Sequence, residues 1–162
     1  MRENIQPDMI TIDAALRLRK YDGRFDFAYP WYQDVETVYL VDGIKEPYTA
    51  DKLRRMYEYL DAHGELYFIE ILRDGKYIPI GDVTFGAEDM PIVIGDSAYR
   101  GRGIGKKVIG ALIQRGRALG LPCLYVREIY TYNTASAKCF ESLGFRPYAE
   151  TQSGRSYKLE LI

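Results

Sequence analysis

The chain is poor in the side chains from which redox, metal and serine-hydrolase chemistry are built. Among its 162 residues are two cysteines, Cys123 and Cys139, and a single histidine, His63. Two thiols so far apart make neither a CxxC redox pair nor a zinc site, and they exclude a disulfide framework. No metal is expected, and a reduced, cytoplasmic setting is the simplest reading. A Gly-x-Ser-x-Gly elbow is missing as well. Gly95-Asp96-Ser97-Ala98-Tyr99 falls short of one, and His63, just before Gly64, reads as a surface residue. Lys and Arg number 22 against 23 Asp and Glu, a net charge of -1, which lacks the basic excess of a general nucleic-acid binder. The longest apolar stretch, residues 118–126, is interrupted by Gly120 and Pro122. It falls far short of the roughly 20 residues a membrane span requires. The opening residues, MRENIQPDMI, hold no apolar signal-peptide core.

What is present is ordinary globular material, 47% hydrophobic and 28% charged, with no repeat, low-complexity tract or linker. Residues 1–162 therefore read as one domain, long enough to bury a substantial core. Tyrosine is abundant, 15 residues against 6 Phe and 1 Trp. A phenol packs like a hydrophobe yet keeps a polar tip, which suits a half-wet cleft as well as a core.

Periodicity predicts a first strand over 9–18, then short helical turns and a loop over 24–44, where aromatics mix with Pro30 and Gly43. Thr49 is a candidate N-cap for a helix carrying Leu53, Met56, Tyr57 and Leu60 on one face, with Gly64 as its left-handed stop. Strands over 66–72 and 77–85 flank the turn Arg73-Asp74-Gly75-Lys76. A short apolar strand over 91–94 precedes a long helix with Ile104, Val108, Leu112 and Ile113 on one face. A strand over 124–129, a helix over 135–143 stopped by Gly144, and strands over 145–150 and 156–161 complete a mixed α/β fold with a partly antiparallel sheet.

The most informative segment is Tyr99-Arg100-Gly101-Arg102-Gly103-Ile104-Gly105-Lys106-Lys107. Three alternate glycines stand between a strand and a long helix, where the backbone can turn tightly and a ligand can approach the amides. The first amides of a helix have no internal partners and form an anion site. Arg100, Arg102, Lys106 and Lys107 add four cations with no acid among them. At a helix N-terminus each exposed cation opposes the dipole by about 0.3–1 kcal/mol, a penalty that a bound polyanion reverses. The spacing Gly-x-Gly-x-Gly differs from the Gly-x-Gly-x-x-Gly of dinucleotide folds, and Gly105-Lys106 is followed by Lys107 rather than the Ser/Thr of a Walker loop.

Arg100-x-x-Gly103-x-Gly105 resembles the Arg/Gln-x-x-Gly-x-Gly/Ala signature of the GNAT N-acetyltransferases. Downstream, Asn133, Ser136, Phe140, Gly144 and Phe145 resemble the same family's Asn-x-x-Ala/Ser-x-x-x-Tyr/Phe-x-x-x-Gly-Phe segment. Pro30-Trp31-Tyr32-Gln33-Asp34 and Pro47-Tyr48-Thr49 are similar to the branch of ribosomal-protein N-terminal, aminoglycoside and polyamine acetyltransferases. The resemblance implies a mostly antiparallel sheet with a central, splayed parallel strand pair flanked by helices. It implies acetyl-CoA as co-substrate in the gap between residues 91–95 and 124–129. The pyrophosphate would lie on the loop formed by Arg100, Gly101, Arg102, Gly103, Ile104, Gly105 and Lys106. Backbone groups of Val93, Ile94 and Gly95 would meet the pantetheine arm. Asn133, a natural N-cap, would add a cofactor-side hydrogen bond, and Phe140 would line the sulfur pocket. An amine, either a small molecule or a peptide N-terminus, would attack the thioester directly in a ternary complex.

Many members place an acidic Tyr where this chain has Phe140, so that role is vacant or moved. Tyr130 and Tyr132 are the nearby phenols, and a low-pKa thiol can also leave unaided. Asp82, Glu128 and Glu70 are the candidate bases on strands, where a buried charge requires pairing. Glu88 and Asp89 could attract a cationic acceptor. Family members often dimerise, so a homodimer is compatible, although no residue marks an interface. Phe140 also leaves open a non-catalytic CoA-binding regulatory module, and the basic loop an RNA-phosphate binder.

Overall fold

A computed structural model describes residues 5–162. The expectation for the opening ten residues falls in part on 1–4, outside the described residues. The order is β1 (Met9–Thr11), β2 (Leu16–Lys20), a 3-10 helix (Asp26–Gln33), α1 (Val35–Asp42), α2 (Ala50–His63), β3 (Glu65–Arg73) and β4 (Lys76–Phe85). There follow β5 (Ile92–Ile94), α3 (Ile104–Ala118), β6 (Cys123–Tyr130), α4 (Thr134–Ser142), β7 (Arg146–Glu150) and β8 (Gly154–Glu160). All ladders are antiparallel, in two sheets ordered β1-β2-β3-β4-β5 and β6-β8-β7. β5 and β6 each end one of these orders and share no ladder among the described residues, at the place where the splayed pair was expected. Among the described residues, no helix is long and apolar enough to cross a membrane.

The alternation of β3 sorts its side chains into two cores. Tyr67 and Ile69 join Val108, Ile109 and Leu112 of α3, together with Leu124 of β6 and Phe140 of α4. Leu66 and Phe68 join Tyr32, Val38, Leu53 and Tyr57 on the opposite face. β4 carries a bulge: Ile69 pairs with Gly81 and Glu70 with Pro79, leaving Ile80 over. The extra residue shifts the phase, so that Ile80 and Val83 both enter the α3 core while Asp82 turns toward Tyr32 and Tyr57.

Two expectations are corrected. The stretch 9–18 is not one strand: β1 and β2 form a hairpin, and Asp13 makes the turn by accepting the Ala15 amide at 2.9 Å. Gly64 does end α2, but in an extended conformation at φ -169 rather than a left-handed one. It is glycine because an added Cβ would lie 2.8 Å from the Thr84 methyl and 2.9 Å from the Phe85 carbonyl.

Gly95, just past β5, is fixed by a similar crowding, since a Cβ there would stand 2.4 Å from the Trp31 ring. Gly110, inside α3, has nothing within 4 Å of that position. Gly95→Ala is therefore expected to destabilise the fold by about 1–3 kcal/mol through overpacking, and Gly110→Ala to stabilise it by about 0.5–1 kcal/mol. Urea unfolding of the two variants beside the parent measures both signs.

Candidate active site

The loop before α3 is built from conformations that only glycine adopts easily. Gly101 and Gly103 have φ of 73 and 77, and Gly103 caps α3 without a side-chain hydrogen bond. The first intrahelical bond runs from the Lys107 amide to the Gly103 carbonyl at 3.2 Å. Among the described residues no acceptor meets the amides of 101–106, so this run of donors faces outward, with Gly101, Arg102, Gly103 and Lys106 exposed. Unpaired amides, the helix dipole and the exposed Arg102 and Lys106 together suit a diphosphate, while Lys107 is paired with Asp13 at 2.9 Å.

Arg100 differs from the other cations. Its Nε donates to the Ile94 carbonyl at 2.9 Å and a guanidinium nitrogen donates to Thr37 Oγ1, while Asp34 lies 3.9 Å away. It thus ties β5 to the start of α1. Val93 pairs with Asp82, two residues from the bond between the Thr84 amide and the Pro91 carbonyl at 2.9 Å. In an antiparallel ladder that phase turns Val93 toward β4 and leaves the backbone groups of Ile92 and Ile94 facing the gap. Of Val93 and Ile94, Ile94 is thus the one whose backbone groups face away from β4, and its carbonyl is held by Arg100.

At the other edge of the gap, Asp42, Gly43, Glu128, Tyr130, Tyr132, Gln152 and Ser153 enclose a cavity of about 390 Å³. Two carboxylates and no cation lie in its lining. Asp42 Oδ2 accepts the Tyr48 hydroxyl at 2.8 Å and has Lys52 at 3.5 Å. Glu128 Oε2 accepts Thr151 Oγ1 and the Ser153 amide. Tyr132 stacks on Tyr39 at 4.3 Å and on Tyr130 at 5.3 Å, and its hydroxyl donates to the Tyr39 carbonyl at 2.7 Å. Burial, then its tyrosine neighbours, push the Tyr132 phenol up to about 12. Burial and then the nearby Glu128 and Asp42 also raise the Tyr130 phenol, which has no hydrogen-bond partner among the described residues.

The remaining candidates take structural places. Asn133 caps α4 by accepting the Ser136 amide at 3.2 Å. Phe140 is buried, with its ring 5.1 Å from Phe145. Glu70 is clamped by Arg17 and Arg19, each at 2.8 Å. Asp89 accepts the Arg127 amide at 2.9 Å, stitching the β4–β5 connection to β6. His63 is exposed and stacked on Tyr59. Sequence reasoning missed Asp42, Gly43, Gln152 and Ser153. Their one local signal was the turn chemistry of Asp-Gly and Ser-Gly, which carries no hint of a shared cavity.

Asp82 lies outside the cavity. It is 3% exposed, and its Oδ2 accepts hydroxyl hydrogen bonds from Tyr32 at 2.7 Å and Tyr57 at 2.8 Å. Burial raises its carboxyl to about 6, with the two phenols pulling the other way. Because the folded value lies above the ordinary 3.8, the stability it confers is full below pH 3.8 and is lost as pH rises through 6. Urea unfolding should show parent stability falling by about 2–3 kcal/mol relative to Asp82→Asn between pH 4 and pH 8. Parallel pH curves for the two proteins would contradict this.

Residues 25–145 match the acetyltransferase (GNAT) family. No curated protein sequence matches the chain. Among solved structures, a domain from Methanocaldococcus jannaschii superposes with a TM-score of 0.80 at 18% identity, covering 91% of this chain and 99% of that one. A GNAT-family acetyltransferase from Bacillus anthracis follows at 0.77 and 15% identity, covering 94% and 98%. A spermidine N-acetyltransferase from Vibrio cholerae, solved with CoA and spermine, gives 0.70 at 17% identity, covering 92% and 97%. A ribosomal L7/L12 alpha-N-protein acetyltransferase and an aminoglycoside acetyltransferase, each solved with coenzyme A, share the fold too. With its parted sheets, its glycine loop and a family match across most of its length, the chain belongs to the GNAT acetyltransferases.

Proposed function

We propose that the protein moves acetyl from acetyl-CoA to a primary amine on a small cationic acceptor, by direct attack in a ternary complex. The observation that carries this reading is the run of unpaired amides over 101–106, opening on the gap between β5 and β6. Those amides, with Arg102 and Lys106, hold the pyrophosphate. Ile94 of β5 meets the pantetheine arm. The thioester then reaches the end of β6, beside the cavity of Asp42, Glu128 and Tyr130.

Two carboxylates in a lining without cations favour an acceptor with more than one positive charge and disfavour anionic amino acids. Glu128 takes the proton that the attacking nitrogen must lose. The C–N bond forms as the C–S bond breaks, and Tyr130 gives its phenolic proton to the departing sulfur, yielding the amide and CoA. The raised phenol stays protonated at neutral pH, and its hydroxyl is uncommitted, unlike that of Tyr132. The polyamine and aminoglycoside acetyltransferases that share this fold support the choice of acceptor, as does the acidic lining.

Two experiments test the reading. Turnover of spermidine, an aminoglycoside, an N-terminal peptide and glutamate with acetyl-CoA should rank the polycations first. Tyr130→Phe should lower kcat about 100-fold, while Tyr132→Phe costs much less. Preference for glutamate, or equal losses in the two variants, would overturn the acceptor and acid assignments respectively. Separately, Gly103→Glu should abolish acetyl-CoA binding in calorimetry while the circular dichroism spectrum is kept. Undiminished affinity would remove the loop from the site.

A further inference from the structure

A carboxyl buried in a core is costly unless it is held. Asp82 is held by two phenols from different elements, Tyr32 of the 3-10 helix and Tyr57 of α2, both donating to Oδ2. The two phenols lead to different places. The Tyr57 ring packs on Tyr21, Phe25 and Phe68, within the core, and edge-on against Tyr32 at 6.3 Å, but among the described residues it has no bond to the segment that carries Tyr48. Tyr32 leads to the wall of the acceptor cavity. Its carbonyl accepts the Tyr48 amide at 2.9 Å, its ring lies 5.1 Å from the Tyr48 ring, and neighbouring Gln33 donates to the Tyr48 carbonyl at 2.7 Å.

Tyr48 is the one buried residue between positions 43 and 49. It is therefore the anchor of the segment joining α1 to α2. Its hydroxyl donates to Asp42, which lines the cavity. Moving Tyr32 would move Tyr48, and moving Tyr48 would release Asp42.

We infer that Asp82 is a positioning residue for the acceptor cavity, acting through Tyr32 and Tyr48 on Asp42. The inference rests on the cavity being the acceptor site, and its physical part is separable from that reading. The groups facing Asp82 are Tyr32 from the 3-10 helix, Tyr57 from α2, and across the ladders the uncharged Phe68 of β3 and Val93 of β5. Asp42, paired with Lys52 at 3.5 Å, is reached from there through Tyr48. No cation bonds to Asp82 among the described residues, so its charge state is transmitted through the phenols.

The test compares Asp82→Asn, Tyr32→Phe and Tyr57→Phe with the parent. Tyr32→Phe and Tyr57→Phe remove chemically equal hydrogen bonds to one oxygen, so a merely structural role predicts equal effects. The inference predicts that Asp82→Asn and Tyr32→Phe raise KM for spermidine about fivefold, the worth of one hydrogen bond, with kcat little changed and Tyr57→Phe near parental. Acetyl-CoA affinity should be the same in all four proteins.

In two-dimensional amide spectra, the Asp42 and Gly43 resonances should move in Asp82→Asn and Tyr32→Phe and stay in place in Tyr57→Phe. The indole resonance of Trp31, the only tryptophan and the neighbour of Tyr32, should show a transition near pH 6 that Asp82→Asn removes. Equal shifts in the two Phe variants, or no Trp31 transition, would overturn the inference. If the parent acetylated no amine while the spectra behaved as described, the acceptor reading would fail and the positioning link would stand.

Discussion

Backbone amides that folding leaves without acceptors set the terms for everything around the α3 N-terminus. An unpaired donor must meet water or a ligand, and a whole turn of them beside a helix dipole forms a preorganised anion site. Gly101 and Gly103 make the turn possible by taking left-handed conformations with nothing above them. The cations of the loop, unfavourable beside the helix N-terminus in isolation, would be offset by an anion bound to these amides, as the proposed function requires. The parting of β5 from β6 follows the same logic, since a closed ladder there would leave no path from the loop to the cavity.

Around that site the two cores have different jobs. The α3 core joins both sheets and is almost wholly apolar. The opposite core, under the 3-10 helix, α1 and α2, is aromatic and contains the buried Asp82 with its two phenols. Arg100 bridges the two regions by binding the Ile94 carbonyl on one side and Thr37 on the other. A cation that the motif's resemblance assigns to the ligand thus also ties β5 to α1.

The sequence made the second half of the chain legible, because glycines punctuate it and its helices carry a clean apolar face. Residues 104 to 118 and the hairpin at Arg73-Asp74-Gly75-Lys76 emerged where periodicity and turn chemistry placed them. The first strand did not, because alternation continues across the β1–β2 turn and only Asp13 marks the break. The bulge at Ile80 was equally invisible, yet it decides which face Asp82 takes. Site legibility divided along the same line. Contiguous elements such as the loop over 100–106 could be read, whereas the cavity draws Asp42, Glu128 and Ser153 from three distant segments. The excess of tyrosine suited a core as well as a half-wet cleft: Tyr32, Tyr48, Tyr57, Tyr67, Tyr99 and Tyr157 are buried, while Tyr39, Tyr130 and Tyr132 form a stacked, partly exposed row beside the cavity.

The central claim is that the amides of 101–106 are the pyrophosphate site of acetyl-CoA. A titration of isotopically labelled protein with CoA, followed amide by amide, tests it most directly. The account predicts that the resonances of Gly101 through Lys106 move furthest and saturate together, and that ATP and NAD at equal concentration leave them nearly in place. Saturable CoA binding that left these amides unmoved would contradict it.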